Sequence, residues 1–257
     1  MLLRRVIEHV KAQNWTAVAL DFVIVVVGVF IGIQVANWNE ARADRSLGED
    51  YTVRLVADLE NDLTAARTLT SYYNVVTQNI KMTDNLLSSP DPGPKALVVA
   101  AYRASEFSSN PSNRATWDQV VSSGHLGLLP AAAIESGLPD YYRFQDSNDD
   151  TIARLQDTPY RRKVRSLIPL AVQISMREGC SDEMDDNQVI VGFVTNCNLD
   201  VDASTINETA RELIASAELR ELLRYQYSMV ASVQINNTGN VALLEKILNA
   251  LNAEDTD

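Results

Sequence analysis

Histidine and cysteine are scarce in this 257-residue chain, with two of each. That excludes the clustered imidazoles and thiolates that a zinc site requires, and no C-x-x-C is present. His9 falls in the first fourteen residues. His125 has no Ser, Cys or acidic partner at a recognisable spacing, so it reads as a satisfied or exposed side chain rather than a catalytic base. Basic residues are also few, 22 Lys and Arg against 34 Asp and Glu, for a net charge of −12. With no basic surface to displace counterions, nucleic acid is not an expected partner. The chain also lacks a Gly-rich phosphate loop, a nucleophile elbow and a dinucleotide fingerprint. No enzyme activity, cofactor or metal is therefore expected. Proline is absent from residues 1–89, so nothing there forces a helix to stop.

What the chain does have is one long apolar run. Residues 22–33 are wholly apolar, and Asp21 is the only ionisable residue from 16 to 36. A membrane-spanning helix needs about 20 largely apolar residues. Trp15 and Trp38 bracket the run, roughly 35 Å apart along a helix, near the spacing of the two interfaces where Trp lies. Asn37, Asn39 and Glu40 complete the polar boundary around Trp38. Residues 1–14 carry Arg4, Arg5 and Lys11 against Glu8, which keeps that end in the cytoplasm by the positive-inside rule. The run is longer than a signal-peptide core, and Trp and Asn stand where small residues would be cut, so it reads as a retained anchor. The expected organisation is a cytoplasmic segment over 1–14, a transmembrane helix over 15–38 and an exported domain over 39–257, periplasmic in a bacterium.

Gly28 and Gly32 form a G-x-x-x-G that Ala36 extends. Small residues four apart let two helices approach closely in lipid, which otherwise gives helices little reason to associate. Asp21 lies about two turns before Gly28 on nearly the same face. A carboxylate there favours a partner helix, or a protonated state that could carry protons; the milder reading is an interfacial Asp near the cytoplasmic boundary. The expected partners are the lipid bilayer and a protein partner or second copy meeting this face. Cys180 and Cys197 both fall in the exported part, where an even pair predicts one disulfide.

The segment GVFIGIQVANWNEAR, following LDFVIVVV, resembles the N-terminal signature of a family of uncharacterised bacterial membrane proteins, with one transmembrane helix ending in an N-W-N-E box. Further on, ATWDQVVSSGHLGLL and LPDYYRF resemble that family's second landmark, an S-S-G-x-L segment followed by a tyrosine pair. The resemblance implies an inner-membrane location and a helical exported domain, and it implies no activity and no catalytic residues.

The exported part reads as mainly α. Tyr51, Leu55, Leu59, Leu63, Ala66, Leu69, Tyr73, Val76 and Ile80 recur at three or four, so one long helix continues to SSPDPGP. Shorter helices follow, with Ser112 or Asn113 as a cap and Pro130 opening another. Gly124 is expected at positive φ, with Leu126, Leu128 and Leu129 docking on the core. DSNDD with Asp157 superficially resembles a calcium loop but has Thr151 where glycine is needed. The cluster Arg161, Arg162, Lys163 and Arg165 reads as a solvated helix face pairing with the chain's own carboxylates. Residues 179–204 hold both cysteines, an acidic stretch and the β-like VIVGFV, giving a disulfide-stapled excursion with a short hairpin. The last helix predicts a seam at Leu219, Leu223, Tyr227, Val230, Gln234, Asn237, Val241, Leu244, Leu248 and Leu251, packed against the long first helix.

The fold expected is a single N-terminal transmembrane helix with an elongated periplasmic helical bundle carrying a disulfide-stapled loop. The function expected is a non-enzymatic, membrane-anchored assembly or scaffold subunit. The alternatives are a ligand-sensing ectodomain and, on Asp21 alone, a single-span component of a proton-driven motor.

Overall fold

A computed structural model describes residues 15–184, 186, 190–194 and 196–254, and for residues 15–19 and 21 the backbone alone. The protein is mainly helical. α1 spans Trp15–Ser88 without interruption, as the lack of proline allows. The chain divides into two compact units, Met1–Tyr51 and Thr52–Asp257, with the division falling within α1.

In the first unit, α1 is the one helix among the described residues long and apolar enough to cross a membrane, and none of its apolar window is buried. The second unit holds the remaining elements. After SSPDPG, α2 covers Pro94–Arg103 with proline in its first turn. Next come α3 (Ala115–Ser122), a 3-10 turn (His125–Leu128), α4 (Ala131–Glu135) and α5 (Leu138–Leu155). α6 (Pro159–Leu167) starts at its proline, with the Thr158 hydroxyl accepting from Arg161 N. α7 (Leu170–Gly179) follows Pro169, so both prolines mark helix starts and neither makes a kink.

Beyond α7, β1 (Asp182–Met184) pairs antiparallel with β2 (Ile190–Phe193), Asp182 opposite Phe193. The Cys180–Cys197 disulfide staples this hairpin, its Cα atoms 4.6 Å apart. Gly179 makes the closure possible, because a Cβ there would stand 2.0 Å from the Asn198 carbonyl oxygen. α8 (Ala203–Ala215) and α9 (Leu219–Glu254) complete the chain's described structure.

Residues 52–88 of α1 and α9 lie antiparallel, shown by the pairs Arg220–Asp84, Thr77–Gln234 and Arg67–Glu245. α9 also packs on α4, α5 and α6, and α2 packs on α8. The core includes Leu69, Tyr73, Val76, Leu97, Tyr102, Leu155, Tyr160, Val164, Leu213 and Val233.

Three sequence expectations are corrected here. The buried face of α9 is Leu219, Leu223, Gln226, Val230, Val233, Asn237, Asn240, Leu244, Ile247, Leu248 and Leu251. Gln226, Val233 and Asn240 thus replace the expected Tyr227, Gln234 and Val241, and Tyr227 is 44% exposed. Gln226 is buried because the core supplies its partners: Thr158 donates to Oε1 (2.6 Å) and its Nε2 donates to Ala104 O (3.2 Å). At the landmark turn, Gly124 has φ 71° as expected, yet only Leu129 is buried while Leu126 stays 40% exposed. Finally, α3 has Arg114 at its N-cap with no side-chain cap, because Asn113 is engaged elsewhere.

Candidate functional site

In the first unit, the apolar helix carries Gly28 and Gly32 on open surface, since a Cβ at either would meet nothing within 4 Å. Ala36, Asn37, Asn39 and Glu40 are exposed with them, and Trp38 is 63% exposed. Phe22 and Phe30 point outward too. Apolar side chains so placed are unfavourable in water and are stabilised in a hydrocarbon surround or against another helix. The side chains of Trp15 and Asp21, the other expected members of this face, lie outside the described residues.

The second unit contains two buried polar centres, and both involve residues that the apolar stripes alone do not mark. The first is built on Asp62. It occupies the inward stripe between Leu59 and Ala66, where the sequence pattern suggested Leu63. Its Oδ1 accepts from Asn113 N (2.9 Å) and Asn113 Nδ2 (2.7 Å), and its Oδ2 accepts from the Tyr141 hydroxyl (2.7 Å). Burial raises the Asp62 pKa, and the hydrogen bonds from Tyr141 and Asn113 oppose that rise. The next residue, Tyr142, donates to Asn113 O (3.2 Å) and stacks on Trp117, ring centroids 4.8 Å apart. The two pieces of the second landmark, Trp117 and the tyrosine pair, therefore meet on the loop that Asp62 holds. Around Asp62 lies a polar chamber of about 20 Å³, lined also by Asn110, Gln145, Asn148, Asn237 and Asn240. Asn237, a polar member of the expected α9 seam, belongs to this centre. Gln234 does not, since it pairs with Thr77 and Asn74 on α1.

The second centre is built on Glu106, just beyond α2. Its side chain is 7% exposed and faces Arg165 (2.9 Å), Arg161 (3.7 Å) and Arg177 (4.0 Å). Arg165 also lies over the Tyr102 ring, 3.3 Å from its centroid. The basic run at 161–165 is thus split by helical phase. Arg161 and Arg165 turn inward to Glu106, while Arg162 pairs with Asp157 and Lys163 with Glu218 at the surface. The expected pairing with the chain's own carboxylates holds, but half of it is buried and not solvated.

Arg103 joins this centre to the hairpin. Its Nη2 donates to Val194 O (2.5 Å), and its guanidinium stands over the Phe193 ring. Phe193 in turn stacks on Tyr72 of α1 at 4.5 Å. Asp182 on β1 accepts from the Tyr72 hydroxyl at 3.4 Å. Burial and the nearby Glu106 push the Asp182 pKa up to about 6, against the pull of Arg177, Tyr72 and Arg103. Asp182 is thus partly buried against the fold, and among the described residues no acidic, His and Cys group is arranged to hold a metal ion. The calcium-like stretch from Asp146 lies within helix α5, and Asp146 pairs with Arg114.

Comparison with protein-family models, with curated proteins and with solved structures finds no match. The resemblance to the membrane-protein family rests on the two short landmarks, and the functional reading rests on geometry.

In both centres the carboxylate is held by the chain's own groups. Asp62 is legible in sequence only as a carboxylate falling on an apolar stripe at steps of three and four. Glu106 and Arg103 flank the end of a helix and carry no comparable signal.

Proposed function

We propose that this chain is a membrane-anchored, non-enzymatic assembly or scaffold protein of the bacterial inner membrane. Its N-terminus lies in the cytoplasm and its second unit in the periplasm as a helical bundle. It associates with a protein partner or a second copy through the Gly28, Gly32 and Ala36 face in the bilayer. The observation that carries the reading is the exposed apolar helix, with open space beside both glycines. Two further features support it. At the Glu106 centre the one carboxylate is held by three arginines, so it is not free to act as a base. The polar space at Asp62 is about 20 Å³, far below the roughly 300 Å³ of a metabolite pocket. The disulfide fits an oxidising compartment.

The test is to solubilise the chain from its native membrane in mild detergent and weigh the intact particle, wild type beside Gly32→Ile. The expected outcome is a particle heavier than one chain that the substitution splits, since a branched side chain holds the helices apart. A monomer in both preparations would refute the assembly reading.

A further inference from the structure

The chamber beside Asp62 lies where α1, the loop before α3, α5 and α9 converge. Several of its polar atoms pair within the chain. Asp62 takes its bonds from Asn113 and Tyr141. Gln145 Nε2 donates to Asn240 Oδ1 (2.8 Å), and Asn236 Nδ2 donates to Asn148 Oδ1 (3.2 Å). Two groups are left over. The Nδ2 atoms of Asn110 and Asn237 are buried and meet no acceptor of the chain. Asn237 is only 1% exposed. A buried donor left unmade costs about 1–3 kcal/mol, so two at one small polar space point to something that accepts from both.

We propose that this chamber is a binding site for a single water molecule. The water accepts from Asn110 Nδ2 and Asn237 Nδ2 and returns a hydrogen to the Asp62 carboxylate. The space of about 20 Å³ exceeds the roughly 10–15 Å³ that one water requires and is far below that of a metabolite pocket. The chemistry of the lining selects among species of that size. Amide N–H donors repel a metal or ammonium cation, and the carboxylate of Asp62 repels a halide. A neutral molecule that both accepts and donates satisfies the set. The site ties a residue of α1 to one of α9 and to the loop at Asn110, an arrangement independent of how the chain associates in the membrane.

The measurement is deuteron magnetic relaxation dispersion on the full chain in detergent, which counts waters held for longer than the tumbling time. Wild type is set beside Asn237→Leu and Asn110→Val, each checked for folding by circular dichroism. The expected result is the loss of one long-lived water in each variant. An unchanged count in a folded variant would overturn the proposal. Should either variant fail to fold, the other decides. A wild-type crystal structure with ordered solvent decides by itself, because density bridging the two Nδ2 atoms supports the site. An empty chamber, or either amide turned onto a protein acceptor, overturns it.

Discussion

Asp182 keeps its proton in the folded chain at pH values where it loses it unfolded. Its ordinary value is 3.8, and burial beside Glu106 raises it to about 6. Between those values the unfolded state releases a proton that the folded state retains, so rising pH favours unfolding. The stability tied to this group is complete below its ordinary value and is lost as pH rises through about 6. Asp182→Asn removes the ionisation and keeps an acceptor for the Tyr72 hydroxyl. Thermal melts at about pH 5 and about pH 7.5 should show a smaller drop in Tm for the variant than for wild type. Asp62 and Asp149 are shifted in the same direction, so the comparison with wild type isolates Asp182. An identical drop in both proteins would refute the assignment.

Among the elements, α9 is the one whose exact face the sequence left open. Steps of three and four describe a seam, yet 226, 233 and 240 fit that pattern as well as 227, 234 and 241. Hydrophobicity favoured Tyr227 and Val241, and the packing chose Gln226, Val233 and Asn240 because Thr158, Ala104 and Gln145 complete the buried amides. Gln226→Ala is therefore expected to cost about 1–3 kcal/mol by denaturant unfolding, since it leaves buried partners unmade. Tyr227→Ala, on the exposed side, should cost under about 0.5 kcal/mol. The reverse order would restore the apolar seam. Much else was legible: the long first helix, the stop at SSPDPGP, the disulfide, the hairpin, and Gly124 at positive φ all follow from local chemistry. The polar centres were not, because Asp62 and Glu106 find their partners from 51 to 79 and from 55 to 71 residues away. Spacing along the sequence does not mark which individual polar side chains meet across that range.

At the scale of the whole molecule, the Cys180–Cys197 bond closes a loop with a sequence separation of 17 and fixes the hairpin on which Arg103, Phe193 and Asp182 depend. Loop-closure entropy makes such a bond worth about 3 kcal/mol. Replacing both cysteines with serine should lower stability by about that amount, and reductant should lower the melting of wild type while leaving the variant unchanged. If reductant shifted the melting of neither protein, the bond would not be contributing.

The antiparallel pairing of α1 with α9 also fixes an order of events. Synthesis runs from α1 to α9, and the groups that α9 covers, from Asp84 to Arg67 on α1 and along α5 and α6, all emerge first. Contacts separated by as much as 178 residues form only after the intervening chain has been made. Until α9 arrives, the apolar stripe of α1 is an unsheltered surface, and it is in that interval that the chain is most exposed to aggregation.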